Sequence, residues 1–211
     1  NELAREYDVS RETIRKALLL LLENGYIHKI QGKGSIVLDV HRYRLPVTGL
    51  LSFKERRQFQ DVEATTKVIV NEEVEAPDFL VRLGLVKRGE KLIYLVRQRI
   101  VDGEAVILDK DYIRKSSIGE LPTDRVEESL YEYLENDLGI KISYGNKDFK
   151  IEPVSEEDST YIDLNGHKHI AVLRSDVYTE GTDFLHYTES RHRVDKFHFS
   201  EFARRKSNRI N

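Results

Sequence analysis

The stretch that decides the fold is Ser10-Arg11-Glu12-Thr13-Ile14-Arg15-Lys16-Ala17-Leu18, followed by Gly25 and by Gly32-Lys33-Gly34. Ser10 is placed to cap a helix, accepting a hydrogen bond from a first-turn N–H that has no partner inside the helix. Behind it Ile14, Ala17, Leu18, Leu21 and Leu22 recur at the spacing of a buried helical stripe. Leu19 and Leu20, beside that stripe, read as additional core. Arg11 and Arg15 stand one turn apart on another face. Gly25 sits where a left-handed residue would end the helix. A short capped helix with an apolar back and two arginines near its start has the shape that enters a DNA major groove.

Working outward, Leu3, Ala4 and Tyr7 suggest the end of a preceding helix, and Asp8-Val9 a turn, so the pattern is helix, short turn, helix. After Gly25, residues 26–30 and 35–38 read as two strands around the tight turn Gln31-Gly32-Lys33-Gly34. A hairpin in that position is a wing, and its glycines let backbone approach a duplex closely. In such a wing Lys33 becomes a phosphate contact.

Bulk composition limits what the rest can be. The chain has 211 residues, 39% of them hydrophobic and 34% charged, with a net charge of −3. That length allows one large domain or two modest ones. No run approaches the roughly 18 apolar residues of a membrane span. The absence of cysteine excludes disulfides and thiolate chemistry and fits a cytoplasmic setting. Residues 1–44 carry eight Lys or Arg against six acids, a balance of only +2. DNA binding therefore has to rest on a few well-placed cations, doubled in a homodimer.

The charged, proline-ended stretch 42–46 reads as a linker between a DNA-binding domain (1–41) and a second domain (47–211). Strands are expected at 48–53, 67–74, 91–101, 105–112, 140–152, 169–179 and 184–193, and helices at 77–83, 126–136 and 155–162. Asp102-Gly103 and Glu180-Gly181 read as hairpin turns. Mostly antiparallel strands with few helices make an α+β domain.

The most informative stretch of that domain is Leu92-Ile93-Tyr94-Leu95-Val96-Arg97-Gln98-Arg99-Ile100-Val101. Alternation puts Arg97 and Arg99 on the face of Ile93 and Leu95. Burying them there is costly unless an anion meets them, and guanidinium forks suit phosphate. A solvated face paired with carboxylates of the next strand fits the pattern equally well. A strict two-residue turn at Asp102-Gly103 would pair Arg97 with Leu108. A three-residue loop through Glu104, the alternative favoured here, pairs it with Asp109.

Taken together, Glu2-Leu3-Ala4, residues 7–18, Asn24-Gly25-Tyr26-Ile27 and Gly32-Lys33-Gly34-Ser35 resemble the winged helix-turn-helix of GntR-family bacterial regulators. The resemblance implies that Ser10, Arg11, Glu12, Thr13, Arg15, Gly32, Lys33 and Gly34 form the DNA-binding surface. The sequence begins within this pattern, without the first helix that normally precedes Glu2, and a domain lacking that helix would bind DNA less well. Beyond it, residues 47–53, Val96-Arg97-Gln98-Arg99, Asp102-Gly103-Glu104, residues 107–112, Ser129-Leu130-Tyr131-Glu132-Tyr133 and residues 187–193 resemble the UTRA effector domain of the family's HutC branch. Its fold is related to chorismate lyase, and it binds small molecules, often phosphorylated sugars. Residues 54–55, 106–112, 187–193, 195–197 and 202–205 are similar to trehalose-responsive members, which implies trehalose 6-phosphate as effector. By that resemblance Ser52, Phe53, Arg97, Arg99, Ser129 and Tyr131 hold the phosphate, and Asp109, Tyr187, Glu189 and Arg191 meet sugar hydroxyls. Ser129 and Tyr131 would act at the start of a helix, where N–H groups favour anions. Glu189 and Arg191 also share a strand face and can simply pair with each other, and Tyr187 can be core.

A ligand-controlled transcriptional repressor of a sugar-utilisation operon, without cofactor or metal, is the resulting expectation. An enzyme is the competing class, because the second domain resembles a lyase fold. The sequence offers it no cysteine nucleophile and no evident metal cluster, and fold alone carries no activity. A ligand sensor without DNA binding is the third.

Overall fold

The computed structural model describes residues 2–23, 25–30, 32, 34–38, 50, 52–55 and 63–198. They fall into two compact units, one within residues 1–49 and one spanning 50–198. The expected linker at 42–46, Lys33 and residues 202–205 lie outside the described residues.

The first unit holds α1 (Glu2–Glu6), α2 (Arg11–Glu23) and a hairpin of β1 (Ile27–Ile30) and β2 (Gly34–Val37). The Oγ of Ser10 accepts the Thr13 N–H at 3.0 Å, the expected cap. Register runs from Ile27 opposite Val37 to Ile30 opposite Gly34, with Gly32 at φ +80° in the turn. The expected buried stripe on α2 is only half formed. Ile14, Leu18 and Leu22 are half-buried, whereas Ala17 and Leu21 are exposed. Leu19 and Leu20 are 47% and 61% exposed, so they are not core. Among the described residues, α1 and the hairpin leave the rest of that face uncovered.

The second unit is built on six strands: β3 (Ala64–Glu75), β4 (Lys91–Val101), β5 (Glu104–Arg114), β6 (Ile142–Pro153), β7 (His169–Thr179) and β8 (Phe184–Arg193). Their order is β3-β4-β5-β8-β7-β6, and every neighbouring pair is antiparallel. Helices α3 (Asp78–Arg82), α4 (Lys115–Ile118), α5 (Thr123–Glu132) and α6 (Glu156–Tyr161) cover the sheet, and a π-helical turn (Tyr133–Asp137) extends α5. Val126, Leu130 and Leu134 pack with Ile93, Leu95 and Leu185 on one face. On the other face Val96, Leu108 and Val172 pack with Ile162 and Tyr161.

Three local details position the site. Asp102 and Gly103, at φ +52° and +83°, make a two-residue hairpin turn, so Val101 pairs with Glu104. The longer loop expected there is absent, yet Arg97 still pairs with Asp109. Register shifts by one residue between Arg99 and Ile100, which leaves Val106 as a β-bulge. Phe53, expected to end a strand at 48–53, instead opens a helical turn at 53–55. Ser52 and Glu55 make a reciprocal capping box, with the Glu55 N–H donating to Ser52 Oγ at 3.1 Å and the Ser52 N–H donating to Glu55 Oε2 at 2.7 Å. Finally, α5 is broken at Ser129, whose backbone is extended (φ −164°, ψ 118°). The Oγ of Ser129 accepts the Glu132 N–H at 3.3 Å and so caps the helical segment that restarts after it.

Candidate functional site

One face of the sheet carries a polar stripe across four strands. Register sets Arg97 of β4 opposite Asp109 of β5, Asp109 and Asp111 opposite Ser190 and Thr188 of β8, and these opposite Leu173 and Ser175 of β7. Together with Lys147 of β6, the stripe floors a pocket that encloses about 70 Å³. Its other walls come from Leu50, Ser52, Phe53 and Lys54 on one side and Glu128, Ser129, Leu130 and Tyr131 on the other.

Both arginines are buried, Arg97 at 4% exposure and Arg99 at 3%. Each has one carboxylate: Arg97 Nη2 donates to Asp111 Oδ2 at 2.7 Å and Arg99 Nε donates to Asp109 Oδ2 at 2.9 Å. Arg99 Nη1 also donates to Thr66 Oγ1 at 2.5 Å, and its guanidinium lies 4.6 Å from the centre of the Phe53 ring. Arg97 Nη1 reaches the Val126 carbonyl only at 3.5 Å, and Arg97 Nε is buried without a partner among the described residues. Burial lowers Arg99 to about 10, with Arg97 adding to the fall and Asp109 opposing it. Burial also acts to raise Asp109, but Arg99, Arg97 and the Ser190 hydroxyl outweigh it and hold the carboxyl below its usual range. The Arg99–Asp109 pair is thus ionised on both sides, and the hydroxyls of Ser190 and Thr188 donate to the free oxygens of Asp109 and Asp111.

The walls add two helix starts. Ser52 caps the turn at 53–55, and Ser129 caps the segment after the break in α5, so both helix starts lie at the pocket. Lys54 Nζ bridges Glu128 and Glu132 at 3.0 and 2.7 Å, which ties the 53–55 turn to α5.

Of the residues expected to hold an effector, Ser52, Phe53, Arg97, Arg99, Asp109, Ser129 and Tyr131 therefore line one pocket. Tyr187, Glu189 and Arg191 do not, and their expected role at sugar hydroxyls is corrected. They occupy the opposite phase of β8, where alternation turns them to the far face of the sheet. There Arg191 Nε and Nη2 grip Asp158 at 2.6 and 2.8 Å, and Nη1 meets Glu189 at 3.0 Å. Tyr187 packs with Phe79 and Leu80. Missing from the sequence reading were Asp111, Thr188, Ser190, Ser175 and Lys147. The two-residue spacing of Asp109 and Asp111, and of Thr188 and Ser190, was the available signal.

In the first unit Ser10, Arg11, Glu12, Thr13 and Arg15 share the first turns of α2, all exposed. Arg15 is already paired, its Nε and Nη2 donating to Glu12 at 2.8 and 2.7 Å. Gly32 and Gly34 have open space where a side chain would project, leaving the wing backbone accessible.

A helix-turn-helix with a wing, joined in sequence to a separate domain with an arginine-lined pocket, is the arrangement of a bacterial transcriptional regulator built from a DNA-binding module and an effector module. Residues 1–37 match the family described as bacterial regulatory proteins, gntR family, and residues 60–198 match the UTRA domain. The chain belongs to the GntR family and carries a UTRA domain. It is 46% identical over 207 residues to the HTH-type transcriptional regulator TreR of Bacillus subtilis (strain 168), covering 97% of this chain and 86% of that one. Among solved structures, the effector-binding domain of the B. subtilis trehalose repressor (TreR) superposes with a TM-score of 0.62 at 39% identity, over 67% of this chain and 99% of that one. The possible transcriptional regulator YydK of B. subtilis superposes over 96% of this chain and 87% of its own with a TM-score of 0.76, at 22% identity, which speaks to fold alone.

Proposed function

We propose that the chain represses a trehalose-utilisation operon as a homodimer and is released from its operator by trehalose 6-phosphate. The observation that carries this reading is the convergence of Arg97, Arg99, Ser52, Ser129 and Tyr131 on one pocket, in a chain whose TreR relative is named a trehalose repressor. The phosphate takes the guanidinium groups from Asp109 and Asp111, and the carboxylates so released accept from sugar hydroxyls. A space of about 70 Å³ is smaller than the few hundred of small-molecule sites, so the disaccharide widens the pocket as it enters. In the DNA-binding module Ser10, Thr13 and the wing glycines approach phosphates, while Arg11 and Arg15 reach base edges, Arg15 exchanging Glu12 for DNA.

The test is binding of the full chain to an operator selected from random-sequence DNA, titrated with trehalose 6-phosphate. Affinity is expected to fall with the phosphorylated sugar and not with trehalose. No response to the phosphorylated sugar would remove it as effector. Arg15→Ala should weaken operator binding by about tenfold or more, the scale of one lost base contact, while leaving effector binding unchanged by calorimetry.

A further inference from the structure

Beneath the pocket each arginine ends a chain of four side chains. Arg97 bonds Asp111, Asp111 accepts from Thr188, and Thr188 Oγ1 lies 3.2 Å from His186 Nδ1. One rung along, Arg99 bonds Asp109, Asp109 accepts from Ser190, and Ser190 Oγ lies 2.8 Å from His192 Nε2. A hydroxyl has one proton to give. Since Thr188 donates its proton to Asp111, it accepts from His186 Nδ1–H, which fixes the tautomer and leaves Nε2 with its lone pair. That nitrogen is buried and has no partner among the described residues. His186 is 1% exposed, and its ring stands 5.8 Å from Tyr131, a residue of the pocket wall.

The charges of the site make this histidine consequential. Four cations (Lys54, Arg97, Arg99, Lys147) and three carboxylates (Asp109, Asp111, Glu128) line the pocket, and Glu132 also holds Lys54. A phosphate monoester dianion placed there leaves at least one uncompensated negative charge in a buried site, which is costly. Resting on the effector reading above, we infer that His186 is the proton acceptor of the effector site, so that phosphate binding at Arg97 is accompanied by protonation of His186.

The groups around His186 act in the required direction. Asp111 on β5 and Arg97 on β4 are the charged groups that act on it, Thr188 is its neighbour on β8, and Tyr131 is the titratable ring packed on it from α5. Without effector, burial chiefly lowers His186 to about 4, with Arg97 adding to the fall and Asp111 opposing it, so it is neutral at physiological pH. Phosphate on Arg97 cancels the repulsive charge and frees Asp111 to face the imidazole, and both changes favour the protonated ring.

Calorimetry of the full chain with trehalose 6-phosphate, near pH 8 in buffers of different ionisation heat, reads the proton count directly. Under those conditions the free phosphate, with a second pKa of about 6, is almost wholly dianionic. Uptake of up to one proton per effector is expected, growing as pH is lowered from about 8 toward about 7, with affinity falling up to about tenfold per pH unit. In the wild-type complex ³¹P spectra should show a dianion and ¹⁵N spectra one new imidazolium. H186Q should bind with little proton uptake and a flat pH profile. Binding without uptake, a protonated bound phosphate, or uptake that persists in H186Q would each overturn the inference while leaving the effector intact. Absence of any binding would overturn the effector reading and this inference with it. The wild-type spectra decide the matter even if H186Q fails to fold.

Discussion

The two faces of the central sheet carry the same kinds of side chain in different states of completion. On the pocket face Arg97 and Arg99 have one carboxylate each, and Arg97 keeps an Nε without a partner among the described residues. On the far face Arg174 holds Glu152 and Glu189 at 2.6 and 2.7 Å, Arg191 holds Asp158 and Glu189, and Lys110 holds Glu157 and Glu189 at 2.9 and 3.0 Å. That cluster is roofed by α6, whose Asp158 is fully buried and also caps the helix through Ser155. Each of these three cations holds at least two carboxylates, and the network fastens a helix to the sheet. The pocket face is equally charged but holds space and unused donors. Buried arginines therefore do not mark a binding site by themselves. Incomplete pairing beside a cavity does.

The comparison can be broken most forcefully at Asp158. Removing it takes two of the three hydrogen bonds of the buried Arg191 guanidinium and leaves α6 without its capping box, so Asp158→Ala should lower unfolding free energy by about 3–5 kcal/mol in denaturant titration. Once stability is accounted for, effector affinity should not change. A specific loss of affinity in a still-folded variant would mean that the far face is functional after all. The next effect belongs to the pocket face and is read by pH. His186 is held at about 4 by burial, below its unfolded value of about 6.5, so the unfolded chain binds the proton first. The stability it contributes is full above about pH 6.5 and is lost as pH falls through about 4. That loss is as much as about 3 kcal/mol for the effector-free protein. H186Q should remove this component from the thermal-denaturation profile, whereas the slope due to carboxylates remains.

How much of this difference was legible in the sequence follows from particular residues. Strands β4, β7 and β8 lie at 91–101, 169–179 and 184–193 as expected, because their alternation runs unbroken between turn residues. The pairing of Arg97 with Asp109 was legible, but its cause was not: Val106 looks like any other strand valine, and only register reveals the bulge. The phase of β8 was also hidden. Tyr187-Thr188-Glu189-Ser190-Arg191 offers polar groups at both phases, and the larger charged set turned out to face the helix instead of the pocket. The capping box Ser52-Phe53-Lys54-Glu55 was readable as a helix start and was masked by the apolar run before it. For the break at Ser129 there was no signal, since the helical pattern continues through it.

The remaining contrasts concern affinity. Arg97→Ala takes a charged donor from the phosphate and should weaken trehalose 6-phosphate by about a hundredfold, the scale of a charge-assisted hydrogen bond, while operator binding persists and induction is lost. Normal effector affinity in this variant, measured by calorimetry, would mean that the phosphate lies elsewhere. Glu189→Gln is the smallest and sharpest test, because the two faces share β8 and this residue is adjacent in sequence to Thr188 and Ser190 of the pocket stripe. It removes a charge that three cations share on the far face, so the melting temperature should fall. Effector affinity should change by less than about twofold, within the few tenths of a kcal/mol expected for sites that share no partner. A larger change would show that the charge network under α6 and the phosphate site act through the strand between them, and the division of the sheet into a fastened face and a receptive face would fail.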